Sequence, residues 1–125
     1  MGNENSYYAC EMIDTETLNF KILPSNLDKD TATAIYDTYG KDTGVPHFSD
    51  FIMDARLVNE ISDPAIGILM KNIPLMKTAK GYVVLVLNEE FLQKIMIRHP
   101  EMFNYLAVFH TIEDAAAFIK KSKKS

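Results

Sequence analysis

Apolar and polar positions follow two different rhythms along this chain, and the switches between them mark its elements. Tyr7 to Ile13 and Leu18 to Leu23 are short apolar-rich runs separated by Asp14-Thr15-Glu16-Thr17, a polar cluster of the kind that joins two strands. In the second run Leu18, Phe20 and Ile22 fall on one face and Asn19 and Lys21 on the other, so the pair reads as a half-exposed hairpin. After Pro24-Ser25-Asn26 the period lengthens. Asp28 is placed to cap a helix whose apolar positions Ala32, Ile35, Tyr36 and Tyr39 keep i, i+3, i+4, i+7 spacing, and Gly40 is the expected stop.

His47 to Asp54 reads as a third strand, with Phe51-Ile52-Met53 continuous enough to be covered on both faces. A loop from Ala55 to Ile61 leads to Ser62-Asp63-Pro64, where a side-chain oxygen acceptor stands directly before a proline suited to the first helical position. The helix that follows carries Ile66, Leu69, Met70 and Ile73, and Pro74 is expected to end or kink it. Gly81 to Leu87 is the most hydrophobic and most β-branched segment, the signature of a central strand. Asn88 caps a short helix with Phe91, Leu92, Ile95 and Met96 on its apolar side, closed by Pro100. Tyr105 to His110 reads as a last strand. Thr111-Ile112-Glu113-Asp114 then opens a final helix that ends in Lys120 to Lys124, lysines that complement its dipole.

The order is β-β-α-β-α-β-α-β-α. Strands alternating with helices predict an α/β domain with a mixed, mainly parallel five-stranded sheet and four helices. Residues 7–120 form the single predicted domain, preceded by a flexible N-terminus at 1–6 and followed by a basic tail at 121–125.

Composition narrows the function classes. With 125 residues, 47% of them apolar and 24% charged, the chain has the balance of one globular domain able to bury roughly two-thirds of its unfolded surface. A net charge of −4 is the wrong sign for a protein that neutralises phosphates, so nucleic acid is excluded as the expected partner. The one cysteine, Cys10, has no second thiol for a bridge or a CxxC motif, which fits a reducing cytoplasm. Met1 to Tyr8 shows no basic and apolar regions of an export signal, and no apolar run approaches the roughly 20 residues that span a bilayer. Met1-Gly2-Asn3-Glu4-Asn5-Ser6 matches the loose myristoylation pattern, which also arises by chance.

Candidate chemistry is sparse. The glycines are scattered singly, so neither G-x-G-x-x-G nor a P-loop is present, and no cofactor is expected. His47, His99 and His110 lack metal-ligand spacing, Cys10 reads as a small core residue, and no G-x-S-x-G elbow occurs. The chain is therefore not expected to be an enzyme. Met12, Met53, Met70, Met76, Met96 and Met102 suit either a core or an adaptable apolar cavity, while Lys71, Lys77 and Lys80 read as a solvated rim.

Ile52-Met53-Asp54, a short loop, and Ile61-Ser62-Asp63-Pro64-Ala65-Ile66-Gly67-Ile68-Leu69 together resemble the STAS domain, the fold of anti-sigma factor antagonists and of the cytoplasmic regions of sulfate transporters. Phe109-His110-Thr111-Ile112-Glu113-Asp114-Ala115 resembles the strand-to-helix ending of that family. In the family, an Asp-Ser-(Ser/Thr)-Gly motif opens the helix, and phosphorylation of its serine repels the bound partner. Placed on that motif, Ser62 stands at the Asp position, Asp63 at the phosphorylated Ser, Pro64 at Ser or Thr, and Ala65 at Gly. Asp63 at the phosphoacceptor position implies a fixed charge in place of a serine switch. Ser62 serves as a helix cap, although a one-residue shift of the loop would bring it onto the phosphoacceptor position while misplacing the apolar helix face.

The resemblance implies a non-catalytic regulatory module that binds a protein partner, a kinase-like anti-sigma factor or a transporter or regulator, through Asp54, Ser62, Asp63 and Pro64. The alternative is a carrier or sensor of a small apolar ligand or lipid, lined by Met70, Phe91 and Met96. The opening hairpin also offers an edge strand for pairing with a second copy as a homodimer.

Overall fold

The Gly81–Leu87 run becomes an inner strand because nothing in it prefers water. In the computed structural model, which describes residues 6–76, 81–104 and 107–123, the strands are β1 (Tyr8–Met12), β2 (Thr17–Ile22), β3 (Asn26–Leu27), β4 (Asp50–Ala55), β5 (Glu60–Ile61), β6 (Val83–Leu87) and β7 (Ala107–Phe109). The helices are α1 (Lys29–Lys41), α2 (Asp63–Met76), α3 (Glu89–Arg98) and α4 (Ile112–Lys123). Five strands form one sheet in the order β1-β2-β4-β6-β7, antiparallel only between β1 and β2. This is the mixed, mainly parallel α/β sheet with four helices that the periodicity predicts.

Strand β4 is the middle of the sheet, and its pleat divides the core in two. Phe51, Met53 and Ala55 join Leu18, Phe20, Ile22, Leu85 and Leu87 beneath Ala32 and Ile35 of α1, Ala65 and Ile66 of α2, and Phe91 and Ile95 of α3. Ile52, with Val84 and Val86, faces the other way and packs under Ala115 and Ile119 of α4. One face thus carries three helices and the other a single helix. The hairpin is less exposed than expected. Because β2 pairs with β4 along its second edge, Asn19 is 8% exposed and only Lys21 of that strand is half-buried.

The helix starts follow their caps. Asp28 accepts from the Thr31 amide, Asn88 from Phe91, and Thr111 from Asp114, each satisfying an amide the helix leaves free. Three helix ends differ from expectation. Helix α1 passes through Gly40 to Lys41, and Asp42 caps it with its amide on the Tyr39 carbonyl, so no left-handed glycine is used. Helix α2 runs beyond Pro74 to Met76, since a proline so near the end disturbs only the last turn. Likewise α4 extends to Lys123, past the boundary read at Lys120.

Strand β4 opens at Asp50 rather than His47, because the Ser49 and Asp50 amides turn to the Glu16 carbonyl. Two features escape periodicity altogether: the two-residue parallel pair β3–β5 and a 3-10 turn at Pro100–Asn104. Met1 to Asn5, Lys77, Lys80, Tyr105 and Lys124 lie outside the described residues, as do the side chains of Met70, Ile73, Pro74, Met76 and Met102.

Candidate functional site

The residues singled out for partner binding lie at two places, the end of β4 and the start of α2. Asp54 points from the penultimate position of β4 toward the α4 face, and its carboxylate is 1% exposed. Burying that charge requires a partner, which Arg56 provides: Nε donates to Oδ1 and Nη2 to Oδ2, each at 3.0 Å. The Arg56 amide adds a third bond to Oδ1 at 3.2 Å. Asp54 is therefore buried under its own ion pair rather than exposed on a loop. It holds Arg56, whose side chain is 42% exposed, at the surface.

The turn after β4 is fixed from two sides. The β3–β5 pair aligns Leu27 with Ile61, and the Ser62 amide donates to the Leu27 carbonyl at 2.9 Å. From the other side, the Asn88 amide group donates to the carbonyls of Arg56 and Val58 at 3.0 and 3.1 Å while its oxygen caps α3. Lys94 of α3 reaches Glu60 at 2.9 Å.

Helix α2 then starts on Ser62, whose hydroxyl oxygen accepts from the Ala65 amide at 3.2 Å. The capping role expected of Ser62 is the one observed. Because Ser62 is the cap, Asp63, with its side chain 70% exposed, takes the first helical position expected of Pro64, and the exposed Pro64 comes second. The Asp63 carboxylate does not stand free. Arg98 Nη2 donates to Oδ1 at 3.0 Å, and His99 Nε2 lies 2.9 Å from the same oxygen, with His99 Nδ1 3.4 Å from Glu101 Oε2. The bonds from His99 and then Arg98 hold the Asp63 carboxyl below the ordinary aspartate value.

Asp63 and Pro64 are thus exposed beside the half-buried Ser62, whereas Asp54 and Arg56 lie toward the α4 side of the sheet, where Glu113 of α4 also acts on the Arg56 charge. Sequence reasoning missed Arg56, Arg98 and His99. Arg56 had a signal, since residues i and i+2 at a strand end share a face; Arg98 and His99 meet Asp63 only through the packing of α3 beside α2.

Of the residues read as a ligand lining, Phe91 and Met96 do not converge. Phe91 is 5% exposed within the core, Met96 is 55% exposed, and the side chain of Met70 lies outside the described residues. Met96 turns outward because Phe91 and Ile95, four residues apart, take the buried face of α3.

The three histidines are also apart: His47 is exposed beside β4, His99 is at Asp63, and His110 Nδ1 lies 3.1 Å from the Leu87 carbonyl. Among the described residues no group of three His, Cys, Asp or Glu is arranged to hold a metal. Burial pushes the Cys10 thiol up to about 12, away from nucleophilic use. No helix among the described residues is long and apolar enough to cross a membrane.

No protein-family model and no curated protein matches the sequence. Among solved structures the chain is similar to the anti-sigma factor antagonist SpoIIAA in its unphosphorylated form, at a TM-score of 0.59 and 13% sequence identity. The match covers 91% of this chain and 96% of that one. The chain has an STAS-like fold. A likeness that spans nearly all of both chains extends to the whole STAS-like sheet and its helices, not to one βαβ unit. At 13% identity it carries the architecture and leaves the activity to the residues of this chain.

Proposed function

We propose that this chain is a non-catalytic regulatory module that binds a protein partner through the start of α2, and that it works without the serine switch of the family it resembles. The observation that carries this reading is the STAS-like fold shared with an anti-sigma factor antagonist over 91% of the chain. Two local features support it. Asp63 and Pro64 are exposed at the helix start that the resemblance assigns to partner binding, and the Ser62 hydroxyl is engaged as a cap. Asp63, aligned with the phosphoacceptor, supplies one lasting negative charge where a phosphoserine would supply about −1.5 to −2. Arg98 and His99 temper that charge, so the domain stays permanently competent to dock. Its partner is of the kinase-like anti-sigma factor or transporter and regulator type.

The test is affinity capture from the source organism with the wild-type chain, Asp63→Ser and Asp63→Arg, followed by reconstitution of the complex from the purified partner. An anti-sigma-type or transporter-type protein that binds wild type and loses at least about tenfold in affinity for Asp63→Arg is the expected result. A partner that binds both chains equally, or a blank capture with lipid bound in native mass spectrometry, overturns it.

A further inference from the structure

A recess lies where α1 ends and the chain leads into β4. Tyr39, Asp42, Val45, Pro46, His47 and Phe48 line it, and it encloses about 300 Å³, the lower end of what a small ligand needs. Apart from Asp42 and His47 its walls are apolar or aromatic. Phe48 and Tyr39 belong to a continuous set of rings, Phe48 lying 5.6 Å from Phe51 and Tyr39 5.5 Å from Phe20 between centroids.

Asp42 is the anomaly in this recess. It stands at the C-terminal end of α1, where the helix carries its partial negative charge and an acidic side chain is unfavourable. It is half-buried, and no Lys, Arg or His among the described residues lies within ion-pair distance of it. After burial itself, Asp42 is what pushes up the Tyr8 phenol and the Cys10 thiol. The carboxylate is nevertheless held firmly, Oδ2 accepting from the Tyr8 hydroxyl at 2.7 Å and Oδ1 from the Gly44 amide at 2.8 Å.

A fixed carboxylate without a counter-ion, set among aromatic rings, is the arrangement that attracts a cation by charge and by the ring quadrupoles together. The walls say which kind. Each Asp42 oxygen already accepts one bond, and Val45, Pro46 and Phe48 bring no side-chain acceptor to share the N–H groups of an amine. A cation with no N–H groups needs none. We propose that this recess binds a small quaternary ammonium compound, with Asp42 as its counter-charge and Tyr39 and Phe48 as its aromatic walls. The site is separate from the Asp63 surface and does not rest on the docking reading.

Choline chloride and its neutral carbon isostere, 3,3-dimethylbutan-1-ol, are titrated into the full chain while the side-chain NMR signals of Tyr39, Val45 and Phe48 are followed. Saturable shifts at these three residues with choline, and binding at least about tenfold weaker for the isostere, are expected. Asp42→Asn, which keeps an acceptor for the Tyr8 hydroxyl, should weaken choline binding by a similar factor without altering the isostere. Absence of saturation with choline, equal binding of the isostere, or saturating shifts confined to other residues overturns the proposal. The isostere comparison uses the unaltered chain, so it decides the matter even if Asp42→Asn fails to fold.

Discussion

Lys123 Nζ donates to Asp50 Oδ2 at 2.7 Å, so the last turn of α4 is tied to the first residue of the central strand. The Asp50 carboxylate is fully buried, and its other oxygen accepts from the Tyr82 amide at 3.0 Å, while Lys123 also binds Glu16 in the turn between β1 and β2. A single lysine therefore joins the helix that covers one sheet face to the central strand and to the β1–β2 turn.

That tie predicts both a coupling and a pH dependence. Lys123→Met should destabilise the chain more than Lys120→Met, because it leaves a buried carboxylate unpaired. Asp50→Asn in the same chain should recover part of the loss, a coupling measurable in a double-mutant cycle by urea denaturation. The bonds to Asp50 and then Glu16 raise the Lys123 pKa above the ordinary 10.5. The stability it contributes is thus complete below about pH 10 and is lost as pH rises through the raised value. Wild type should weaken relative to Lys123→Met above that pH, and parallel curves there would contradict the tie.

Two glycines should respond in opposite directions to the same substitution. A Cβ added at Gly81 would sit 2.0 Å from the Ser49 carbonyl oxygen and 2.2 Å from Asp50 Oδ1, backbone and buried carboxylate that have no room to yield. Gly81→Ala should cost about 1–3 kcal/mol and disturb the Asp50–Tyr82 bond. Gly67, exposed within α2, has nothing within 4 Å of the added atom, and Gly67→Ala should stabilise by about 0.5–1 kcal/mol. Thermal melts of the two variants check the contrast, and losses of equal size would refute it.

The clamp on Asp63 is testable by titration without reference to any partner. The depressed pKa means that what the carboxylate contributes is present above its ordinary value of 3.8 and is lost as pH falls through the lowered one. The carboxyl carbon of Asp63, followed by NMR, should therefore titrate below 3.8. In the double variant Arg98→Gln, His99→Gln it should move back toward that value, with the Ser62 cap and the fold retained. An unmoved midpoint would show that neither side chain holds it.

Much of the architecture was legible because it is local. Asp28, Asn88 and Thr111 cap the helices they precede in the sequence, and the β-branched run at Val83–Leu87 needs no distant information to be read as an inner strand. The β3–β5 pair was not legible, since two residues are too few to display a period. Nor were contacts set by which elements become neighbours. Asn88 was visible as a cap but not as the donor that holds Arg56 and Val58, and Lys123 was visible as a charge suited to a helix end but not as the partner of Asp50. The candidate site divides in the same way: Ser62 behaves as its position in the chain suggests, whereas the partners of Asp63 come from a helix more than thirty residues later.

Asn19 carries the remaining prediction, because the hairpin's polar alternation continues into a place where polarity has no use. Its side chain lies on the face shared with Ile52, beneath the layer containing α4, and its Oδ1 is buried without a hydrogen-bond partner among the described residues. Leaving such an acceptor dry costs about 1–3 kcal/mol. A nonpolar residue of similar size removes that cost and extends the apolar surface formed by Ile52, Val84 and Val86. Asn19→Leu should accordingly stabilise the chain by about 1 kcal/mol, raising the melting temperature by roughly 4 °C in a domain of this length. The amides of α4 should exchange more slowly in the same variant, because the face they cover no longer penalises closure. A lowered melting temperature with faster exchange in α4 would instead show that Asn19 secures the helix through its amide.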